Sequence, residues 1–311
     1  MAGLFRTTAM AAGCFGGLGA MYGLLSEQSK RARRAIGQPT SAPLRADGVY
    51  LPDGTGPLAA CHARATAPDP IRVAVLGDSS AAGVGAEVEG HLPGVLVARG
   101  LAEESERPVR LDTYAVSGCT SRDLAPQVEL ALANSPDVVL MLIGANDVTK
   151  RIAPQAAAAM LGEAVRRLRA EGVAVVVGTC PDLGVVRLIP QPLRGVVRTW
   201  SLTLARLQRA AVQRAGGRAV PLADLLASEF LTRSDFFSRD QFHPSDAGYE
   251  AAASVLLPAV CAAVGVWDGG PLPRLSSRSA AAEARRATAR LTAAANRRLD
   301  RVLRRADLAK T

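Results

Sequence analysis

Between residues 71 and 223 short apolar runs alternate with amphipathic stretches. The runs IRVAVLG (71–77), VRLDTYAV (109–116), DVVLMLIG (137–144), VAVVVGT (173–179) and a weaker RAVPLA (218–223) have the length and β-branched content of strands. Between them, apolar residues recur at helical spacing over 88–102, 122–134, 154–171 and 198–215. The third and fourth runs are apolar at nearly every position, as expected of strands covered on both faces. This alternation predicts an α/β fold: a doubly wound, parallel, five-stranded sheet in three α/β/α layers, with right-handed crossovers.

The flanks read differently. Residues 7–26, TTAMAAGCFGGLGAMYGLLS, carry no charge and match the length of a bilayer-crossing helix, so 1–34 are expected to be a signal-anchor or export signal with a basic flank. A helix packed on the domain is the alternative. Lys30, Arg31, Arg33 and Arg34 follow the segment, against Arg6 before it. The apolar segment favours a membrane-associated or exported, cell-envelope location, but counted as positive-inside charges these residues would keep the domain in the cytoplasm, so the side of the membrane stays open. Residues 35–70, dense in Pro and Gly, are expected to be a linker, 71–268 the catalytic domain, and 269–311 a basic, Ala- and Arg-rich helical tail.

Composition refines this picture in two places. Of 311 residues 49% are hydrophobic and 21% charged, so the chain is globular, and with 4% aromatics its core must be built from Ala, Val and Leu. The net charge of +9 sits mostly after Pro271, where eleven Arg and Lys face three acids, so it says little about partners of the body. The tail can place Leu291, Leu299, Val302 and Leu303 on one helix face and Arg297, Arg298, Arg301 and Arg305 around it. Such a helix suits a solvated surface, an anionic membrane or, less well here, nucleic acid. Five scattered cysteines make no disulfide framework or CxxC motif, and three scattered histidines make no metal site. No metal or organic cofactor is expected.

In a doubly wound sheet, sites form at the carboxyl ends of the strands. Gly77-Asp78-Ser79-Ser80 follows the first strand, Ser117-Gly118-Cys119 the second and Gly144-Ala145-Asn146-Asp147 the third. Near the C-terminus, Asp240 precedes His243 by three residues, just before a helix opened by Pro244. Each cluster alone has a bland explanation as a turn, a cap or a structural histidine. Their occurrence together, in order and on one rim, does not.

A serine hydroxyl needs a base to take its proton, and the base needs a third group to hold its tautomer. Ser79 is the candidate nucleophile, His243 the base and Asp240 the orienting acid. The backbone N–H groups of Ser79 and Gly118 and the side-chain amide of Asn146 are candidate donors to the oxyanion of acyl transfer. Glycine at 118 suits a backbone that must approach substrate closely. Asp78 is expected to support the loop, and Ser80 is the control position for mutation. The rate should rise with pH as the imidazole loses its proton.

GDSS, SGCT, GAND and DQFHP resemble the four signature blocks of the SGNH (GDSL-type) hydrolases, over about residues 71–265. The resemblance implies a flavodoxin-like sheet and serine esterase activity without a cofactor. It also implies that Ser79, Gly118, Asn146 and His243 are the family's name-giving residues, with Asp240 completing the triad. The first block departs from the common pattern, continuing SSAAGVG, and the second carries Ser117 where Asn is absent. GTCPDLG (178–184) is either a Pro-Gly turn or a lining of the acyl or leaving-group pocket.

The expected function is hydrolysis of carboxylic esters of small molecules or lipids through an acyl-enzyme. O-acetyl-glycan deacetylation and thioester hydrolysis suit the same machinery. A catalytically silent, membrane-associated scaffold is the alternative from another class. A nucleotide site is disfavoured, because Gly77, Gly83 and Gly85 make no GxGxxG and no phosphate-loop lysine follows. The oligomeric state is not readable.

Overall fold

The computed structural model describes residues 21–37, 43–59 and 69–266. A helix, α1, covers 21–36. The central sheet holds β1 (Gly48–Tyr50), β2 (Ile71–Gly77), β3 (Val109–Thr113), β4 (Val138–Leu142), β5 (Ala174–Gly178) and β6 (Arg218–Val220), in the order β1-β3-β2-β4-β5-β6. All neighbours are parallel except β1, which runs antiparallel to β3. The five expected strands are all present, and β1 makes a sixth. It lies inside the stretch 35–70 expected as linker, because three residues between Gly and Pro signals are too short to show a period. Its Val49 and Tyr50 are nevertheless fully buried.

The helices between strands are α2 (Pro93–Ser105), α3 (Leu124–Leu132), α4 (Ala145–Thr149), α5 (Pro154–Ala170) and α6 (Leu193–Arg214), and α7 (Leu222–Thr232) and α8 (Asp246–Ala263) follow the last strand. Strand residues alternate between two cores. Val73, Val75, Leu140 and Val176 face α2 and α8 in one. Ala74, Leu76, Val139, Met141, Val175 and Val177 face α3 and α5 in the other. Both faces of the central strands are therefore covered, which is why β4 reads as an unbroken apolar run.

Residues 1–20, including most of the uncharged segment, and the tail after 266, with its predicted Leu and Arg faces, lie outside the described residues. Among the described residues no helix is long and apolar enough to cross a membrane.

Candidate active site

Three strand exits are stitched together at one end of the sheet. The Asp78 N–H donates to the Leu142 carbonyl at 3.1 Å and the Val116 N–H to the Gly77 carbonyl at 3.1 Å, joining the ends of β2, β3 and β4. Gly77 has φ +136°, and a Cβ there would lie 1.9 Å from the Leu142 carbonyl oxygen, so only glycine can make this exit. Two residues later stands Ser79. Its carbonyl accepts from the Val84 N–H at 2.9 Å, closing the loop beneath its hydroxyl.

His243 arrives from the other end of the domain. Its Nε2 lies 2.9 Å from Ser79 Oγ, and its Nδ1 lies 2.5 Å from Asp240 Oδ2. The loop is fastened to the nucleophile side by the Tyr249 hydroxyl, which donates to the Val84 carbonyl at 2.6 Å. The three residues singled out as a triad are thus in one hydrogen-bonded line.

The predicted oxyanion donors share the rim. Gly118 has φ +84°, and an added Cβ would meet nothing within 4 Å. Left-handed backbone, rather than crowding, is what asks for glycine there. Asn146, the second residue of α4, donates through Nδ2 to the Cys119 carbonyl at 3.0 Å. Lys150 Nζ donates to the Gly118 carbonyl at 2.7 Å. Buried Asp147 accepts from the Ser121 N–H at 3.0 Å and from its hydroxyl at 2.8 Å. The Gly118 loop and the Asn146 helix are consequently held as one unit.

Electrostatics separate the carboxyl groups. Burial of Asp240 opposes its charge, but the His243 ring and the N–H groups of Phe242 and His243 outweigh it and hold the carboxyl well below the usual range. Asp78 goes the other way: burial pushes it up to about 6, despite the hydrogen bond from the Ser80 N–H and the nearby imidazole. Burial also raises Asp147, against its bonds from Ser121. Ser80, half-buried, donates that N–H to Asp78 at 2.9 Å and also borders the cleft beside His243.

Residues 75–251 match the model of the GDSL-like Lipase/Acylhydrolase family. The chain belongs to this family. It is 44% identical over 240 residues to the GDSL-like esterase Rv1075c of Mycobacterium tuberculosis (strain ATCC 25618 / H37Rv), covering 76% of each chain. Among solved structures it resembles TesA, with 23% identity over 62% of this chain and 98% of that one at a TM-score of 0.49. A variant of Axe2, an acetyl-xylooligosaccharide esterase from Geobacillus Stearmophilus, matches with 21% identity over 62% of this chain and 94% of that one, also at 0.49. This GDSL-like chain is an ester-hydrolysing enzyme.

Beside His243 the GDSL-like domain opens an apolar cleft. Leu142, Val186, Leu226, Phe230, Phe237 and Phe242 are among its walls. GTCPDLG forms a turn that borders this cleft. Thr179, Pro181, Asp182 and Leu183 line the cleft, and Asp182 accepts from the Gly184 N–H at 2.8 Å in a tight turn.

Two buried glutamines are absent from the predicted site residues. Gln127 accepts from the Gly77 N–H at 2.7 Å and donates to the Gly77 carbonyl at 3.0 Å. Gln208 accepts from the Cys180 N–H at 2.7 Å and donates to the Ile143 carbonyl at 3.1 Å. Each clamps a strand exit that borders the site. Their signal is present in the sequence: a Gln in line with Leu124, Val128 and Ala131, and another in line with Leu204, Ala211 and Val212, where a helix turns its apolar face inward.

His91 lies apart, between Asp246 at 3.5 Å and Glu250 at 3.3 Å. Cys119, Cys180 and Cys261 are free thiols. Among the described residues no group of three His, Cys, Asp or Glu could hold a metal ion.

Proposed function

We propose that this chain hydrolyses short-chain carboxylic esters through Ser79, His243 and Asp240. The observation that carries the reading is the continuous line from Ser79 Oγ through His243 to Asp240, at 2.9 and 2.5 Å. Ser79 Oγ attacks the acyl carbonyl while His243 Nε2 takes its proton. Asp240, kept ionised by its hydrogen bonds, holds the Nδ1 proton and stabilises the imidazolium that forms. The N–H groups of Ser79 and Gly118 and the Asn146 amide receive the carbonyl oxygen as it gains charge.

His243 then returns the proton to the alkoxide as the ester C–O bond breaks, leaving the acyl group on Ser79. A water molecule gives its proton to the same nitrogen and attacks the acyl carbon. Ser79 recovers a proton from His243, and the carboxylic acid leaves. No cofactor enters these steps.

The cleft beside His243 supports the acyl assignment. It is apolar, adjoins the reacting groups and offers about 100 Å³. An engineered apolar cavity of about 150 Å³ holds benzene, so this one suits an acyl group of a few carbons. On p-nitrophenyl esters from two to sixteen carbons the full chain should be fastest on short acyl groups and decline beyond about six. Ser79→Ala should lose at least about 10³-fold in kcat while Ser80→Ala stays within a few fold. Undiminished turnover by Ser79→Ala would overturn the nucleophile, and a maximum at long chains would overturn the acyl cleft.

A further inference from the structure

Helix α1 (21–36) is fixed to the rim of the site rather than to the back of the domain. Its half-buried or buried residues Leu25, Ser26, Gln28, Ser29, Ala32 and Ile36 recur at helical spacing, so one face is docked. Gln28 Nε2 donates to the Gln191 carbonyl at 2.7 Å, and Gln28 Oε1 accepts from the Leu193 N–H at 3.1 Å. That loop continues from Val185 and Val186, which line the cleft. At its other end Arg33 donates to the Thr149 carbonyl at 2.6 Å, on the same short helix as Asn146. The helix thus straddles the two loops that border the acyl cleft and the oxyanion donors.

What α1 leaves outward has the order of a chain leaving a bilayer. Met21, Tyr22 and Leu24 are exposed, at 49%, 65% and 47%. Toward the N-terminus the sequence stays uncharged back to Thr7. Toward the C-terminus come Lys30, Arg31, Arg33 and Arg34, with only Glu27 against them, in loose, solvent-exposed contact with Lys30 and Arg31. Tyrosine prefers the headgroup level, and Lys and Arg prefer the phosphates beyond it.

The loop that Gln28 holds, and the helix it opens, carry charge of the same sign. From Leu183 to Ala223 the chain contains seven arginines and no Asp or Glu. Arg187, Arg198, Arg206 and Arg209 are exposed, although Arg198 lies 3.3 Å from Asp182. Val196, exposed at 41%, stands in the first turn of α6, beside the loop that Gln28 holds. Nucleic acid would also be drawn to such charge, but the exposed apolar turn that joins it favours lipid.

We propose that α1 and the adjoining arginine-rich rim dock on an anionic lipid bilayer. The Gln28 and Arg33 locks then hold the mouth of the site at the lipid surface, so that esters are taken from the membrane. The docking is independent of the esterase reading, whereas the delivery of substrate rests on it.

Docking is measured on full-length Ser79→Ala by sedimentation with phosphatidylcholine vesicles, with and without phosphatidylglycerol. Binding to the anionic vesicles is expected to fall with salt, and the triple variant Lys30→Glu, Arg31→Glu, Arg34→Glu is expected to bind on the order of 100-fold more weakly. Tyr22→Asp with Leu24→Asp should weaken binding at every salt concentration. Binding that these variants leave unchanged, no binding at all, or binding to a DNA oligonucleotide but not to vesicles would overturn the proposal.

Delivery is measured as the rate on hexadecyl butyrate in vesicles divided by the rate on soluble p-nitrophenyl butyrate. Gln28→Ala with Arg33→Ala should lower this ratio at least fivefold while soluble turnover persists. An unchanged ratio would overturn the locking role. Absence of turnover on both esters in the wild-type chain would instead refute the esterase reading and leave the vesicle-binding result standing.

Discussion

Asp240 holds His243 through both of its carboxylate oxygens. Oδ2 meets the imidazole Nδ1 at 2.5 Å, while Oδ1 accepts the backbone N–H of His243 at 2.9 Å and of Phe242 at 2.8 Å. Ser238 adds its hydroxyl to Oδ1 at 2.8 Å. The three-residue spacing folds the loop around the carboxylate, so the acid that orients the ring also builds the turn that presents it. Asp240→Asn keeps much of that turn but can donate to Nδ1, which selects the wrong tautomer. The expected outcome is a kcat lower by roughly 10³–10⁴ with KM nearly unchanged. Steady-state kinetics on p-nitrophenyl butyrate check this, and a loss under tenfold would remove Asp240 from the triad.

The sequence carried the candidate catalytic groups because each sits where a period breaks: Ser79, Gly118 and Asn146 after strands, His243 before a helix. It carried the sheet because alternation between two cores leaves apolar runs with sharp ends. What it hid depends on contacts between distant segments. Gln127 looks like one polar residue in an amphipathic helix until Gly77, fifty positions away, is seen between its amide atoms. The edge strand β1 is a few residues amid Gly and Pro, and its pairing with Val109–Leu111 has no local signature. Helix α6 begins at Leu193, five residues before its periodicity becomes clear, because Pro192 and Gly195 blur the start.

The Gln127 clamp gives a second prediction. It supplies the acceptor for the Gly77 N–H in a buried place that excludes water, two residues before the nucleophile. Gln127→Leu preserves the apolar packing of α3 and strands that donor, costing roughly 1–3 kcal/mol. The strand exit that aims Ser79 should also loosen. We expect a lower urea midpoint and a kcat reduced more than KM is raised. Gln127→Glu, which still accepts from the N–H, should recover part of the stability at low pH, where it is protonated and can also donate to the carbonyl. A variant with wild-type stability and kcat would show the clamp to be dispensable.

Asp78 sets the pH dependence of the fold in a window of its own. It is 1% exposed, and burial lifts its carboxyl to about 6, whereas in the unfolded chain it titrates near the ordinary carboxylate value of about 3.9. The folded state therefore holds this proton more tightly than the unfolded state. The associated stability is fully present below about pH 4 and is lost as pH rises through about 6. The difference between those two affinities for the proton amounts to on the order of 3 kcal/mol. Asp78→Asn keeps an acceptor for the Ser80 N–H and removes the titration, so the variant should gain on the wild type between pH 4 and pH 7. Asp240, held low, does the reverse, contributing stability above about pH 4 that is lost under more acid conditions, but it is common to both chains and cancels in the difference. Urea unfolding of both proteins at pH 4, 5, 6 and 7 measures that difference directly. A difference that stays constant across the series would mean that Asp78 ionises normally in the folded protein, with a partner for its charge beyond the Ser80 N–H and the His243 imidazole.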